Sequence, residues 1–249
     1  MQNQGYASLE SQIGNTACEC EDTEEMFWLR QADDYESRVK LGNLLSGQYR
    51  FKEAIETYHS AELIRDNDSM LYVRLGGAYL TIRDFDRAKE AYQKCVSING
   101  NDKQVLYPMG VWHYLKSEYS KAAEYFSRIL PCEDEMAISV IYWHALSCMQ
   151  NNTEDNLINS YNDDMKVGHH TAYKDAVEVI LGKASVNDII AKLSDDDNDL
   201  NVVVTLYGIL VYLENCGKKE YAKQVRDMLL KRNSVWPCIS YLAAWNDQL

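Results

Sequence analysis

A large apolar residue followed by glycine returns every 34 residues near the start of this chain: Leu41-Gly42, Leu75-Gly76 and Met109-Gly110. Each glycine is followed at a constant distance by an alanine (Ala54, Ala88, Ala122) and, four residues later, by an aromatic ring (Tyr58, Tyr92, Phe126). The three copies align without a gap. Within each copy, apolar residues recur three to four apart on two segments, which predicts two helices per copy. Short turns at Ser46-Gly47-Gln48 and Ile82-Arg83-Asp84 separate them. One hairpin cannot bury both its faces, so the copies must stack, and an array needs about three or more of them. The small Gly and Ala let two helices approach closely. The aromatic is expected to fill the wedge between one hairpin and the next.

These residues resemble the tetratricopeptide repeat (TPR) family. Its 34-residue pattern has a large apolar residue and Gly at positions seven and eight, Ala at twenty and an aromatic at twenty-four. Ala61 and Cys95 supply the small residue expected at twenty-seven, and Ile129 departs from it. The proline usual near thirty-two is replaced by Asp66, Gly100 and Asp134. The resemblance covers residues 35–136, as repeats 35–68, 69–102 and 103–136. It implies an all-α, right-handed α-α superhelix, a TPR solenoid. The whole chain then holds about five to six helical hairpins and a C-terminal capping helix.

Beyond residue 136 the pattern degrades into divergent repeats over 137–232. Ile141 to Met149 reads as another first helix and Glu154 to Val167 as its partner, with Tyr161 at the aromatic place. Ala172 to Leu181 and Val186 to Leu193 read as a shorter pair around Gly182. Val202 to Leu213 and Lys219 to Lys231 form a further pair, in which Leu206-Tyr207-Gly208 resembles the start motif and Ala222 comes two residues late. Within 233–249, Ser234 to Trp245 reads as a final helix with Pro237 in its first turn. Its Trp236, Ile239, Leu242 and Trp245 are spaced to cover the last open face. At the other end, a leading helix is expected within 24–34, with Phe27 and Trp28 packed on the first repeat. Residues 1–23 are polar and aperiodic and are expected to be disordered.

Composition excludes several classes. Only three prolines are present, as a mostly helical chain requires. Eighteen tyrosines against four phenylalanines supply rings with a polar tip, suited to half-buried positions. A net charge of −13 repels phosphate backbones and anionic membranes, which argues against nucleic acid and membrane partners. No run approaches the ~18 apolar residues of a membrane span. Met1 to Asp22 lacks the basic and apolar regions of a secretory signal. Seven scattered cysteines fit buried thiols in a reducing cytoplasm.

The resemblance places a binding groove on the first helices. The family's groove positions fall on Asn43 in the first repeat, Met70 and Val73 in the second with Arg74 beside them, and Tyr107, Val111 and Tyr114 in the third. Tyr142 and Tyr212 are expected to extend it. A TPR subclass grips a terminal carboxylate with Lys, Asn and Arg; here Asn43 fits, but Val39, Gln104 and Pro108 stand where basic residues are expected. The groove is instead apolar and tyrosine-lined, suited to a helix or extended peptide with apolar anchors. An acidic surface favours neutral to basic partners. The expected role is a non-catalytic interaction scaffold or adaptor. The alternatives are a dedicated chaperone for a secreted or membrane-associated client, a detached regulatory module, or a homo-oligomeric assembly module, because an exposed apolar patch also serves self-association.

Candidate chemistry is sparse, and no cofactor or metal is expected. Cys18 and Cys20 lack a second ligand pair. His169-His170 follows Gly168 in what reads as a solvated turn, and Asp163 and Asp164 match no known ligand pattern beside it. Asp195 to Asp199 begins like a calcium loop, but Leu200 and Leu206 occupy the places of the Gly and the bidentate Glu, so it reads as an acidic turn before the next helix. His144 and Cys148 lie one turn apart on one helix face, and His113 sits among aromatics. A core histidine beside a buried thiol is the plain reading of the pair. No phosphate loop, nucleophile elbow or zinc-protease motif is present, and the chain is expected not to be an enzyme.

Overall fold

The computed structural model describes residues 21–100, 103–132 and 134–246. Among them are thirteen α-helices and no strand. The chain divides into two compact units, one ending at Pro108 and one beginning at Met109. Most of the tail expected to be disordered lies outside the described residues, as do Cys18 and Cys20.

Unit one holds α1 (Glu24–Gln31), α2 (Tyr35–Gly47), α3 (Phe51–Glu62), α4 (Ser69–Thr81), α5 (Phe85–Asn99) and the first half of α6 (Lys103–Leu115). Short acceptors start these helices. Thr23, Asp34, Asp68 and Asp84 each take a backbone N–H of the first turn on their side chains. The α2/α3 and α4/α5 hairpins are held by a ring lying on a glycine. A Cβ at Gly42 would overlap the Tyr58 ring, and one at Gly76 would overlap Tyr92. Both rings are buried. The aromatic thus packs against the glycine of its own hairpin, because the missing side chain leaves room for the ring.

The leading helix packs through Met26, which is fully buried, while Phe27 and Trp28 are 54% and 63% exposed. That corrects the expected contact of Phe27 and Trp28. Helix α1 is also tied by charge. Arg50, 7% exposed, grips both Glu53 oxygens at 2.7 Å and donates to Asp22 at 2.6 Å. Arg30 donates to Asp22 and to Glu53. The Arg30 hydrogen bond, with help from Arg50, holds the Asp22 carboxyl down at about 2. Asp22 is therefore part of the folded unit.

Unit two holds the second half of α6, α7 (Tyr119–Ser127), α8 (Met136–Asn151), α9 (Thr171–Ile180), α10 (Val186–Ser194), α11 (Asp199–Asn215), α12 (Lys219–Leu230) and α13 (Ile239–Asn246). The third hairpin repeats the glycine contact: a Cβ at Gly110 would lie 2.7 Å from the Phe126 ring. After it the plan changes. Helix α8 is buried on every side from Ala137 to Cys148, and α11 from Val202 to Val211, the signature of helices inside a core. Helix α11 packs on α8, α9, α12 and α13. Gly208 faces Ala176 of α9 and Tyr142 of α8, each 2.7 Å from where its Cβ would be. Asn198 caps α11 by accepting from Leu200 and Asn201, so the acidic run before it is a helix start.

Two expected helices differ. Glu154 to Val167 is not a helix but a loop with one short 3-10 turn at Ile158–Ser160. Asp155 explains the difference: its Oδ1 accepts from Leu157 N, Ile158 N and the His144 ring, fixing an Asx-type turn that competes with helix formation. The expected final helix is split. A 3-10 turn at Asn233–Val235 precedes α13, which starts after Pro237, because proline lacks the N–H and its ring crowds the preceding turn. Asp199 holds this turn through Arg232 at 2.6 Å and through Ser234. Helix α13 buries Tyr241, Leu242, Ala243 and Ala244, and Asn246 donates to the Leu115 carbonyl at 3.1 Å.

One device recurs in both units. Helices α2, α4, α6, α8, α9 and α11 each end with an N–H bonded back five residues: Arg50 to Leu45, Asp84 to Tyr79, Glu118 to His113, Thr153 to Cys148, Lys183 to Glu178 and Lys218 to Leu213. The residue before each donor has positive φ: Tyr49, Arg83, Ser117, Asn152, Gly182 and Gly217. This is the Schellman cap, which normally selects glycine.

Candidate functional site

The expected groove residues divide by unit. In unit one, Asn43 is exposed, and Met70, Val73, Arg74 and Tyr107 are partly exposed. Helices α2 and α4, which carry the first four, touch directly. Asn43 accepts the Tyr58 hydroxyl at 2.8 Å, so the ring seated on Gly42 fixes the amide on this face. Burial raises the Tyr58 phenol above its ordinary value, partly opposed by Ser46 and the Arg74 charge. Gly47 and Gly77 have open space where a side chain would be. The face is therefore apolar in part, open at Gly47 and Gly77, and carries the Arg74 cation.

In unit two most of the expected groove is interior. Val111 is 4%, Tyr114 2% and Tyr142 0% exposed, which corrects their assignment to a free surface. Tyr142 donates to the Val204 carbonyl at 2.8 Å, and Tyr114 and Tyr207 share a hydroxyl contact of 2.9 Å. With Trp143, Tyr119 and Tyr173 they form edge-to-face contacts with centroids about 5 Å apart. Helix α11 closes over these rings, so their hydroxyls are satisfied internally. Tyr212 alone of this set stays partly exposed.

Unit one also has a cleft that sequence spacing did not indicate. It encloses about 840 Å³ between α3, α4 and α5, with Leu75 in its wall and Lys52, Arg87 and Lys94 around it. A hydrogen-bonded chain runs along it. Tyr72 donates to Glu62 at 2.9 Å, Glu62 meets His59 Nδ1 at 2.8 Å, and His59 Nε2 meets Tyr79 at 2.7 Å. The tyrosines and His59 lie 13 to 20 residues apart on different helices, so no motif announced them.

The histidines are anchored by carboxylates. His113 meets Glu118 at 2.9 Å and stacks on Tyr125. His144, 4% exposed, meets Asp155 at 2.8 Å. Cys148 Sγ lies 3.7 and 3.9 Å from the two His144 nitrogens. Burial alone would push His144 down, but the Asp155 hydrogen bond and Cys148 outweigh it and hold the imidazole up at about 9. A thiol 3% exposed and nearly equidistant from both ring nitrogens is not aimed for proton transfer to either. The pair acts as a core contact that fixes the loop after α8. A second trio, Glu135, His169 and His170, gathers at the surface. No described helix is long and apolar enough to cross a membrane.

Residues 71–102 match the family described as tetratricopeptide repeat. The chain is 25% identical over 207 residues to a TPR repeat-containing protein of Methanocaldococcus jannaschii, covering 73% of this chain and 34% of that protein. It is 33% identical over 72 residues to the general transcriptional corepressor trfA of Dictyostelium discoideum, covering 29% of this chain and 5% of the corepressor. The chain thus spans about a third of the archaeal relative's length and a small part of the corepressor's. Among solved structures, YrrB, a TPR protein with an unusual peptide-binding site, matches at 13% identity and a TM-score of 0.46, covering 91% of this chain and 99% of that one. The family match falls inside the second of three glycine-and-ring hairpins, so the chain carries a tetratricopeptide repeat there.

Proposed function

We propose that the chain is a non-catalytic interaction scaffold that takes a peptide or helical segment on the first-helix face of unit one. TPR proteins generally work by holding other proteins. The supporting observation is the exposed Asn43 and the partly exposed Met70, Val73 and Arg74 on two touching helices, beside the open backbone at Gly47 and Gly77. A bound segment would bury apolar side chains against Met70 and Val73 and place a polar or acidic group near Arg74. Tyr107 would add an aromatic contact from α6. The net charge of −13 favours partners that are otherwise neutral to basic. We place the protein in the cytoplasm, on its scattered cysteines.

The test is affinity capture from native lysate with a Met70→Glu/Val73→Glu variant and a Lys52→Glu/Lys94→Glu variant, each shown to be folded. Partners held by the wild type should be lost from the first variant and kept by the second. The reverse pattern would move the site to the α3–α5 cleft.

A second reading, self-association, is favoured by the exposed Phe27–Trp28 pair, whose rings meet edge to face at 5.4 Å. Sedimentation of Phe27→Ser/Trp28→Ser against wild type decides it: an unchanged oligomeric state removes this reading.

A further inference from the structure

The fold brings together two imidazoles and a carboxylate that sequence spacing keeps apart. His169 and His170 directly precede α9, and Glu135 directly precedes α8. Their donor atoms all lie within 4.8 Å of one another. We propose that Glu135, His169 and His170 form a surface site for a late first-row divalent cation, taken here as Zn2+.

Three observations carry it. The first is spacing. His169 Nδ1 and Glu135 Oε2 are 3.5 Å apart, too long for a good hydrogen bond. Two ligands on one tetrahedral zinc, each at about 2.0–2.2 Å, stand about 3.4 Å apart. The second is the glycine. Gly168 has φ +48, and any Cβ there would fall on the Glu135 carboxylate. Glycine at 168 is what lets the carboxylate reach the two rings. The third is availability. The ring centroids of His169 and His170 are only 4.1 Å apart, and His170 makes no capping bond to α9. The His169 and Glu135 side chains are 82% and 49% exposed, so a hydrated ion reaches them without opening the core. Two imidazoles and one carboxylate are borderline donors that suit Zn2+, Cu2+, Ni2+ or Co2+ better than Ca2+ or Mg2+. Bound there, the ion would fasten the end of the 152–170 loop to the start of α8. Open coordination positions remain for water.

The experiment is isothermal titration with Zn2+, in the full chain with Cys18→Ser/Cys20→Ser to remove the tail thiols, followed by Co2+ absorption spectroscopy. One ion per chain is expected, with affinity falling about tenfold or more in Glu135→Gln, His169→Ala and Gly168→Ala. Far-ultraviolet circular dichroism should be unchanged in each. The Co2+ spectrum should show nitrogen and oxygen ligation with no thiolate charge-transfer band. A thiolate band that disappears in Cys148→Ser, with Glu135→Gln binding normally, would overturn the proposal and move the ion to His144, Cys148 and Asp155. Equal Zn2+ uptake by wild type and a His169→Ala/His170→Ala variant would also overturn it.

Discussion

The two units use one kind of helix end but two kinds of packing. In unit one each ring sits on the glycine of its own hairpin, Tyr58 on Gly42 and Tyr92 on Gly76. In unit two the corresponding glycine, Gly208, takes Tyr142 from a helix 66 residues upstream and Ala176 from another. The first arrangement is local and repeats with the sequence. The second joins three helices, draws the tyrosines inward and leaves α8 followed by a loop where a second hairpin helix was expected. In unit one the first-helix face stays partly open at Asn43, Met70 and Val73. In unit two it becomes core, even at Val111 and Tyr114 beside the local Gly110–Phe126 contact, because α11 covers it.

The sharpest way to break this contrast is at Tyr142. Tyr142→Ala should cost roughly 3–5 kcal/mol, since it leaves a large cavity in the core. An unchanged melting temperature would return Tyr142 to a surface role. Gly76→Leu should drive a side chain into Tyr92 and cost about 1–3 kcal/mol or more. Combining it with Tyr92→Ala should recover part of that loss, whereas Gly208→Ala should be relieved by Ala176→Gly. Absence of coupling in either double-mutant cycle would mean the ring assignment is wrong there.

The units should also differ in pH response. His144 is held up at about 9. A raised folded value stabilises fully below the ordinary 6.5 and is lost as pH rises through 9. Asp22 is held down at about 2. A lowered value stabilises above its ordinary 3.8 and is lost as pH falls toward 2. Hydrogen exchange corrected for intrinsic rates should show the His144–Asp155 region loosening in mild alkali and the α1–α3 region in acid. Asp155→Asn should cost on the order of 1–3 kcal/mol at pH 6, and that cost should shrink by pH 10. A constant difference across this range would remove the charged His144 pair.

The smallest expected effect lies in the shared cap. Ser117→Gly relieves a left-handed residue and should add up to about 1 kcal/mol, while Gly217→Ala should lose about 1–2 kcal/mol. Opposite changes at the two positions would confirm that a non-glycine cap and a glycine cap serve as one terminator. A destabilising Ser117→Gly would show that local contacts of the serine outweigh its backbone strain.

The caps explain what was hard to read. Four of the six sit on Tyr49, Arg83, Ser117 and Asn152 rather than glycine, so the most persistent repeat signal had no compositional mark. The missing helix at 154–167 was hidden for a related reason: its apolar spacing suits a helix, and only the Asp155 bonds to Leu157, Ile158 and His144 show what displaces it. The groove was legible in unit one, where exposure follows helical face. It was misread at Tyr114 and Tyr142, whose buried hydroxyls find partners on α11, 62 to 93 residues away. The Glu135 carboxylate beside His169 and His170 carried no sequence mark at all.

By itself, the sequence determined the helical class and the 34-residue hairpins, because those depend on residues less than one repeat apart. Tertiary structure alone decided which tyrosines are buried, where the cleft and the histidine–carboxylate clusters form, and which part of the first-helix face stays open. Those outcomes depend on which helices meet across long separations, and two residues of one type on one helical face look alike until a neighbouring helix covers one of them.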